Sequence, residues 1–205
     1  MSTVLHISAS PRGEASESLA IARTFLETYE ETHPDDEIVP FDLWDGTLPE
    51  FGPAAAAAKM ELFAGREPSG DAWNAVIRTF ERFDAADKYL FSVPMWNSTV
   101  PYILKQFIDV VSQPGMIFSF DPRHGYTGLL QGKKAAVIYT SAVYGDGLPP
   151  SFGADFQQPY LDNWLRWAGV HDITSIQFRP DLVTVTGDAD RASAREQARD
   201  VAKNF

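Results

Sequence analysis

Val4-Leu5-His6-Ile7-Ser8-Ala9-Ser10-Pro11-Arg12-Gly13-Glu14-Ala15-Ser16-Glu17-Ser18 is an apolar run that breaks into a loop rich in Ser, Pro and Gly. The helical pattern Leu19-Ala20-Ile21-Ala22-Arg23-Thr24-Phe25-Leu26 follows at once. Strand, loop and helix in that order open a parallel sheet of the kind whose ligands bind beyond the carboxyl ends of its strands. A helix start offers unpaired backbone N–H groups and the positive end of the helix dipole, and both suit an anion. Ser10, Ser16 and Ser18 add hydroxyl donors, and hydroxyls with amides hold a phosphate dianion without a Lys. Serines at such a place also serve simply as helix caps and polar turn residues. The loop lacks Gly-x-x-x-x-Gly-Lys-Ser/Thr and Gly-x-Gly-x-x-Gly, so it is neither a nucleoside triphosphate loop nor a dinucleotide loop.

The rest of the chain continues the alternation. Thr3 to Ser8, Glu37 to Leu43, Asp87 to Val93, Lys133 to Thr140 and His171 to Phe178 read as strands. Pro40 assigns the second of them to an edge, because proline cannot donate to a central ladder. Helical patterns run to about Thr32, over the alanine run Ala54 to Phe63, from about Ser69 to Phe83, through Ile103 to Val111, from about Phe156 to Ala168, and from Asp188 to Lys203. Residues 116–131 are too irregular for a helix and read as a hairpin excursion. Strands alternating with helices predict an α/β fold, a doubly wound five-stranded parallel sheet in the order 2-1-3-4-5 with helices on both faces. No linker or repeat divides the chain, so residues 1–205 are expected to form one domain.

Composition narrows the function classes. The chain of 205 residues carries a formal net charge of -11, which disfavours nucleic acid and anionic membrane surfaces. It has no Cys, which removes disulfides, thiolate catalysis and cysteine metal sites. His6, His33, His124 and His171 are scattered without metal-ligand spacing. No apolar run approaches the ~20 residues of a membrane span. A strand begins too early for a secretory segment, so a cytoplasmic location is expected.

The first, third and fourth strands each end in an unusual loop: Ser10 to Ser18, Pro94 to Ser98, and a Gly, Pro and Ser rich stretch opening Thr140-Ser141-Ala142-Val143-Tyr144-Gly145. Right-handed crossovers bring all three to one edge of the sheet. Trp96 offers a flat surface, or else is a buried core tryptophan, and Asn97 offers both a donor and an acceptor. An anion site beside an aromatic slot suits a mononucleotide with a planar ring.

These segments resemble a known family. Ser8-Ala9-Ser10-Pro11-Arg12-Gly13 with Ser16-Glu17-Ser18 is similar to the phosphate loop of the FMN-dependent azoreductases, which belong with the NAD(P)H:quinone oxidoreductases on the flavodoxin-like fold. Val93-Pro94-Met95-Trp96-Asn97, with Pro101-Tyr102-Ile103-Leu104-Lys105-Gln106-Phe107-Ile108-Asp109 after it, resembles their Pro-Met-Tyr-Asn-Phe loop and following helix. Pro114 to Phe120 and Gly128 to Ala135 resemble the hairpin and fourth strand, so the likeness covers most of the chain. Two departures stand out. Ser98 replaces the family's aromatic residue, and Ala142-Val143 replace its Gly-Gly, where the absent Cβ lets backbone approach the flavin.

The resemblance implies FMN as cofactor, NADH or NADPH as co-substrate, and quinones and aromatic azo compounds as acceptors, served by ping-pong kinetics. It assigns the phosphate to Ser10, Ser16, Glu17 and Ser18, and the ring to backbone amides of Met95, Trp96, Asn97 and Ser98 with Thr140, Ser141, Ala142 and Val143. No side chain is required as a catalytic group, although Tyr144 and His124 lie on loops that are candidates to supply a proton. It also implies a homodimer, to which aromatics around Trp44, Phe118, Phe120 and Trp167 would contribute unless they fill the monomer core. The competing readings are a flavodoxin-type electron carrier without NAD(P)H activity, and a flavin-free binding protein on the same fold.

Overall fold

The structure, a computed structural model, describes residues 1–179, 182 and 186–205. The strands are β1 (Thr3–Ser8), β2 (Glu37–Asp42), β3 (Lys88–Pro94), β4 (Phe118–Asp121), β5 (Gly125–Gly128), β6 (Lys134–Thr140) and β7 (Asp172–Phe178). The helices are α1 (Glu17–Thr32), α2 (Pro53–Phe63), α3 (Asp71–Asp84), α4 (Tyr102–Val111), α5 (Gln158–Ala168) and α6 (Gly187–Lys203). The main sheet has five strands in the order β2-β1-β3-β6-β7, all parallel. This is the predicted flavodoxin-like order once the two hairpin strands are set aside. β2 lies at the edge, where Pro40, opposite His6, removes a donor that a central strand would need.

The central strands are apolar on both faces because both are covered. Alternate residues separate cleanly. Leu5 and Ile7 of β1, Tyr89 and Phe91 of β3 and Val137 of β6 join Phe83, Phe107 and Trp164 on the face of α3, α4 and α5. Val4, Leu90, Ala136 and Ile138 point the other way, to Ile21, Phe25 and Tyr29 of α1 and Ala194, Ala198 and Ala202 of α6. The alanines recur every fourth residue, so α6 presents a smooth stripe that packs closely along α1. Each fully buried aromatic such as Phe25 contributes about 2–3 kcal/mol of transfer free energy.

β4 and β5 form a separate antiparallel ribbon between α4 and β6. It is held against the end of α5, where a Cβ on Gly128 would stand 2.3 Å from the Gly169 backbone nitrogen. Gly169 itself has φ +106°, the left-handed helix stop that glycine favours. α5 starts at Gln158, later than the helical pattern from Phe156 suggested, because residues 155–157 are recruited elsewhere. No helix among the described residues is long and apolar enough to cross a membrane.

Candidate cofactor site

The parallel pairing puts the carboxyl ends of β1, β3 and β6 at one edge, and direct contacts tie their loops together. The Ala9 N–H donates to the Ser92 carbonyl at 3.0 Å, and the Met95 N–H to the Thr140 carbonyl at 2.7 Å. Trp44 spans the first two loops, its indole N–H donating to the Ala9 carbonyl at 3.0 Å while its ring lies 5.9 Å from that of Trp96. Trp44 therefore lies in the rim of this site.

In the first loop a short 3₁₀ turn, Gly13–Ala15, leads to Ser16 as the N-cap of α1. Ser16 Oγ accepts from the Leu19 N–H at 3.3 Å and lies 3.1 Å from Ser18 Oγ. Capping uses a lone pair of Ser16 Oγ and the Ser16–Ser18 contact takes one of the two hydroxyl hydrogens, which leaves the other for an anion, so the cap and anion readings are compatible. Ser10, Ser16 and Ser18 are all buried. The N–H groups of Glu17 and Ser18 fall in the first turn, where no intrahelical acceptor exists, and they have no other partner among the described residues. Glu17 places a carboxylate at this mouth, and Arg191 of α6 neutralises it with Nε donating at 3.0 and 3.1 Å. These donors fit a phosphate dianion.

The second loop is a two-residue turn. The Trp96 N–H donates to the Thr99 carbonyl at 2.8 Å and the Thr99 N–H returns to the Trp96 carbonyl at 3.0 Å. Between them Asn97 has φ 48° and Ser98 φ 69°, the only non-glycine residues with positive φ among those described. Such a turn prefers Asn and Gly; a serine in it costs about 1–3 kcal/mol unless its surroundings hold it there. One expectation needs correction here. The amides of Met95 and Trp96 are spent on Thr140 and Thr99, because the turn closes on itself and on β6, so only those of Asn97 and Ser98 are open to a ligand.

The turn divides two clefts. One, of about 200 Å³, is lined by Met95, Asn97, Ser98, Ser141, Ala142, Val143 and Tyr144 with Phe152 and Gly153. The other, of about 390 Å³, is lined by Trp96, Asn97, Val100, Tyr102 and Tyr160, with Thr99 and Lys105. Trp96 is half-buried and faces the second cleft, so it is neither a core residue nor a wall of the first. Thr140 lines neither and enters as the acceptor for Met95. Ala142 and Val143 do not have positive φ, so their Cβ atoms cost no backbone strain. Ser141 is turned inward, its hydroxyl donating to the Tyr144 carbonyl.

The two proton-donor candidates separate. Tyr144 lines the smaller cleft, and its hydroxyl donates to Asp146 at 2.7 Å, which with partial burial raises its pKa. His124 sits in the hairpin turn, 2.9 Å from Asp121. Sequence reasoning missed Arg179, Asp155 and Gln157, which surround the site from β7 and the long loop. The usable signal was a cation immediately after a strand's carboxyl end.

The flavodoxin-like fold family matches residues 2–204. An FMN-dependent NADH:quinone oxidoreductase of Burkholderia lata is 42% identical over all of both chains. One of Ruegeria pomeroyi is 43% identical over 95% of this chain and 98% of its own. The crystal structure of an azoreductase from Bacillus anthracis superposes with a TM-score of 0.90, at 25% identity and 100% coverage of both chains. With identity of this extent across the whole length, and open backbone donors converging on one sheet edge, the chain belongs to the flavodoxin-like family of FMN-dependent NADH:quinone oxidoreductases.

Proposed function

We propose that the protein binds FMN and catalyses two-electron transfer from NADH or NADPH to quinones and aromatic azo compounds. The observation that carries this reading is the set of donors on one edge: the first-turn amides of the first loop, without partners among the described residues, with the serine hydroxyls around them, beside the open amides of Asn97 and Ser98. Ser10, Ser16 and Ser18 with the Glu17 N–H would hold the phosphate. Met95, Trp96, Asn97 and Ser98 would frame the ring with Thr140, Ser141, Ala142 and Val143. Bound FMN supplies hydride acceptance and two-electron donation, so no side chain need act as nucleophile or metal ligand.

The chain's own residues bind, orient and tune. Open amides at a ring edge stabilise negative charge that develops there, without reorganisation during the reaction. The larger cleft, walled by Trp96, Tyr102 and Tyr160, supports a flat aromatic acceptor. Donor and acceptor that occupy one open side in turn give ping-pong kinetics. Phe120 and Tyr126 on the hairpin are each 59% exposed, which supports a homodimer with the ribbon at the contact. The reading takes residues 1–205 as one cytoplasmic flavin-binding domain with the hairpin as its excursion, and assigns it no nucleic-acid or membrane partner.

The test is a titration of the purified protein with FMN, followed by NADH and NADPH oxidation with a quinone and an azo dye. Tight 1:1 binding with parallel double-reciprocal plots is expected. Flavin binding without nicotinamide oxidation would make the protein a carrier instead, and no flavin binding would reject the assignment. Sedimentation velocity as a monomer would remove the dimer.

A further inference from the structure

Arg179 follows β7 directly, and its side chain is only 2% exposed. Nη1 donates to Asp155 Oδ2 at 2.7 Å and Nη2 to Gln157 Oε1 at 2.7 Å. The guanidinium lies 5.2 Å from the centre of the Tyr139 ring and 5.6 Å from that of Tyr144, and Nε is buried without a hydrogen-bond partner among the described residues. A buried cation paired in this way adds little to stability, since desolvation offsets most of the attraction. What its planar fork supplies is fixed geometry at two acceptors together.

Those acceptors belong to a short strap. The Phe156 N–H donates to the Ser98 carbonyl at 2.9 Å, and Thr99 Oγ1 donates to the Phe156 carbonyl at 3.3 Å. Gln157 Nε2 donates to the Val93 carbonyl at 2.8 Å. Asp155 Oδ1 meanwhile accepts from the N–H groups of Gln157 at 2.8 Å and Gln158 at 3.0 Å, which fixes the entry to α5. Residues 155–157 are thus held by Arg179 on one side and grip both ends of the Val93–Thr99 turn on the other. That turn holds Asn97 and Ser98 at positive φ, a conformation that persists only where its surroundings over-determine it.

We propose that Arg179 is a positioning residue: by holding Asp155 and Gln157 it makes the 155–157 strap keep the Trp96–Thr99 turn in the shape that leaves the Asn97 and Ser98 amides open to the cofactor ring. The role in flavin binding rests on the function proposed above; the role in holding the turn does not.

The experiment compares wild type, Arg179→Met, Arg179→Lys and Gln157→Ala as full chains. Amide exchange is measured without flavin, then FMN affinity and the visible flavin band. In Arg179→Met and Gln157→Ala the Trp96 and Thr99 amides should exchange about tenfold faster or more, with α1 and β1 unchanged, and FMN should bind about tenfold more weakly with a shifted band. Arg179→Lys should recover part of both, because a single ammonium replaces a two-pronged fork. Gln157→Ala keeps the Arg179–Asp155 pair and carries the test if Arg179→Met does not fold. Exchange at the turn equal to wild type, a uniform rise across the protein, or a loosened turn with unchanged FMN affinity and band would each overturn the proposal. A wild-type chain that takes no FMN would sink the flavin reading, while the flavin-free exchange would still decide the strap.

Discussion

The two edges of the sheet handle polar groups in opposite ways. At the amino end, Tyr29, Asp36 and Lys88 satisfy one another. The Tyr29 hydroxyl donates to Asp36 at 2.6 Å, Lys88 Nζ donates to the Tyr29 oxygen at 2.7 Å, and the Ser2 N–H donates to Asp36 at 2.5 Å. The hydroxyl beside Asp36 holds its carboxyl well below the usual carboxylate range. Lys88 also lies over the rings of Tyr29 and Phe205. At the carboxyl end, the Ser16 and Ser18 hydroxyls pair only with each other and with the Leu19 N–H, and the first-turn amides and the amides of a strained turn have no partner among the described residues. A closed polar network adds rigidity and offers nothing to a ligand. An open one gives up stability and gains a ligand it can grip.

The largest effect should come from emptying the open edge. Replacing Ser10, Ser16 and Ser18 together by Ala removes three hydroxyl donors to a dianion and should weaken FMN at least about a thousandfold, at roughly 1.5 kcal/mol or more for each charged hydrogen bond. Flavin fluorescence titration measures it, with the urea midpoint as the control for folding. Affinity close to wild type would mean that the serines serve the helix alone.

Cutting the closed edge should do the reverse. Lys88→Met removes the ammonium that donates to the Tyr29 oxygen beside half-buried Asp36 and should cost about 2 kcal/mol of stability with FMN affinity unchanged. Urea unfolding and the same titration read the two quantities side by side. A matching loss of affinity would show that the edges are not independent.

His6 lies between the edges, its Nε2 2.8 Å from Ser92 Oγ, and burial pushes its pKa down to about 4. The ordinary value near 6.5 applies to the unfolded chain. The folded state therefore resists protonation, so this contribution is complete above about pH 6.5 and declines as pH falls toward the folded pKa. Between about pH 7 and pH 5 the loss should be on the order of 2 kcal/mol, and His6→Gln should flatten that slope. Equal slopes in both proteins would assign the acid sensitivity to other groups.

Much of the fold was legible because it rests on local rules. The apolar run before Ser10 and the helical spacing after Ser18 define β1 and α1 through contacts close in sequence. Pro40 gave away the edge position of β2 because a missing donor is a property of one residue. The phosphate reading of the first loop rests on the same kind of rule, since a helix start carries its own donors. The ring site was legible only in outline. The resemblance assigned Met95 and Trp96 to it, but that their amides are consumed depends on Thr140 and Thr99 as acceptors, and on how the turn closes.

From residue order alone came the alternation of strands and helices, the strand at the rim, the serine-capped start of α1 and the loops that share an edge, because hydrophobic period, proline chemistry and crossover handedness act over short stretches of chain. Folding in three dimensions decided the rest: which amides stay open, which way Trp96 faces, that Trp44 joins two loops, and that Arg179 reaches across to Asp155 and Gln157. Those outcomes depend on side chains from distant segments competing for the same donors and the same space. No local pattern records the winner of that competition.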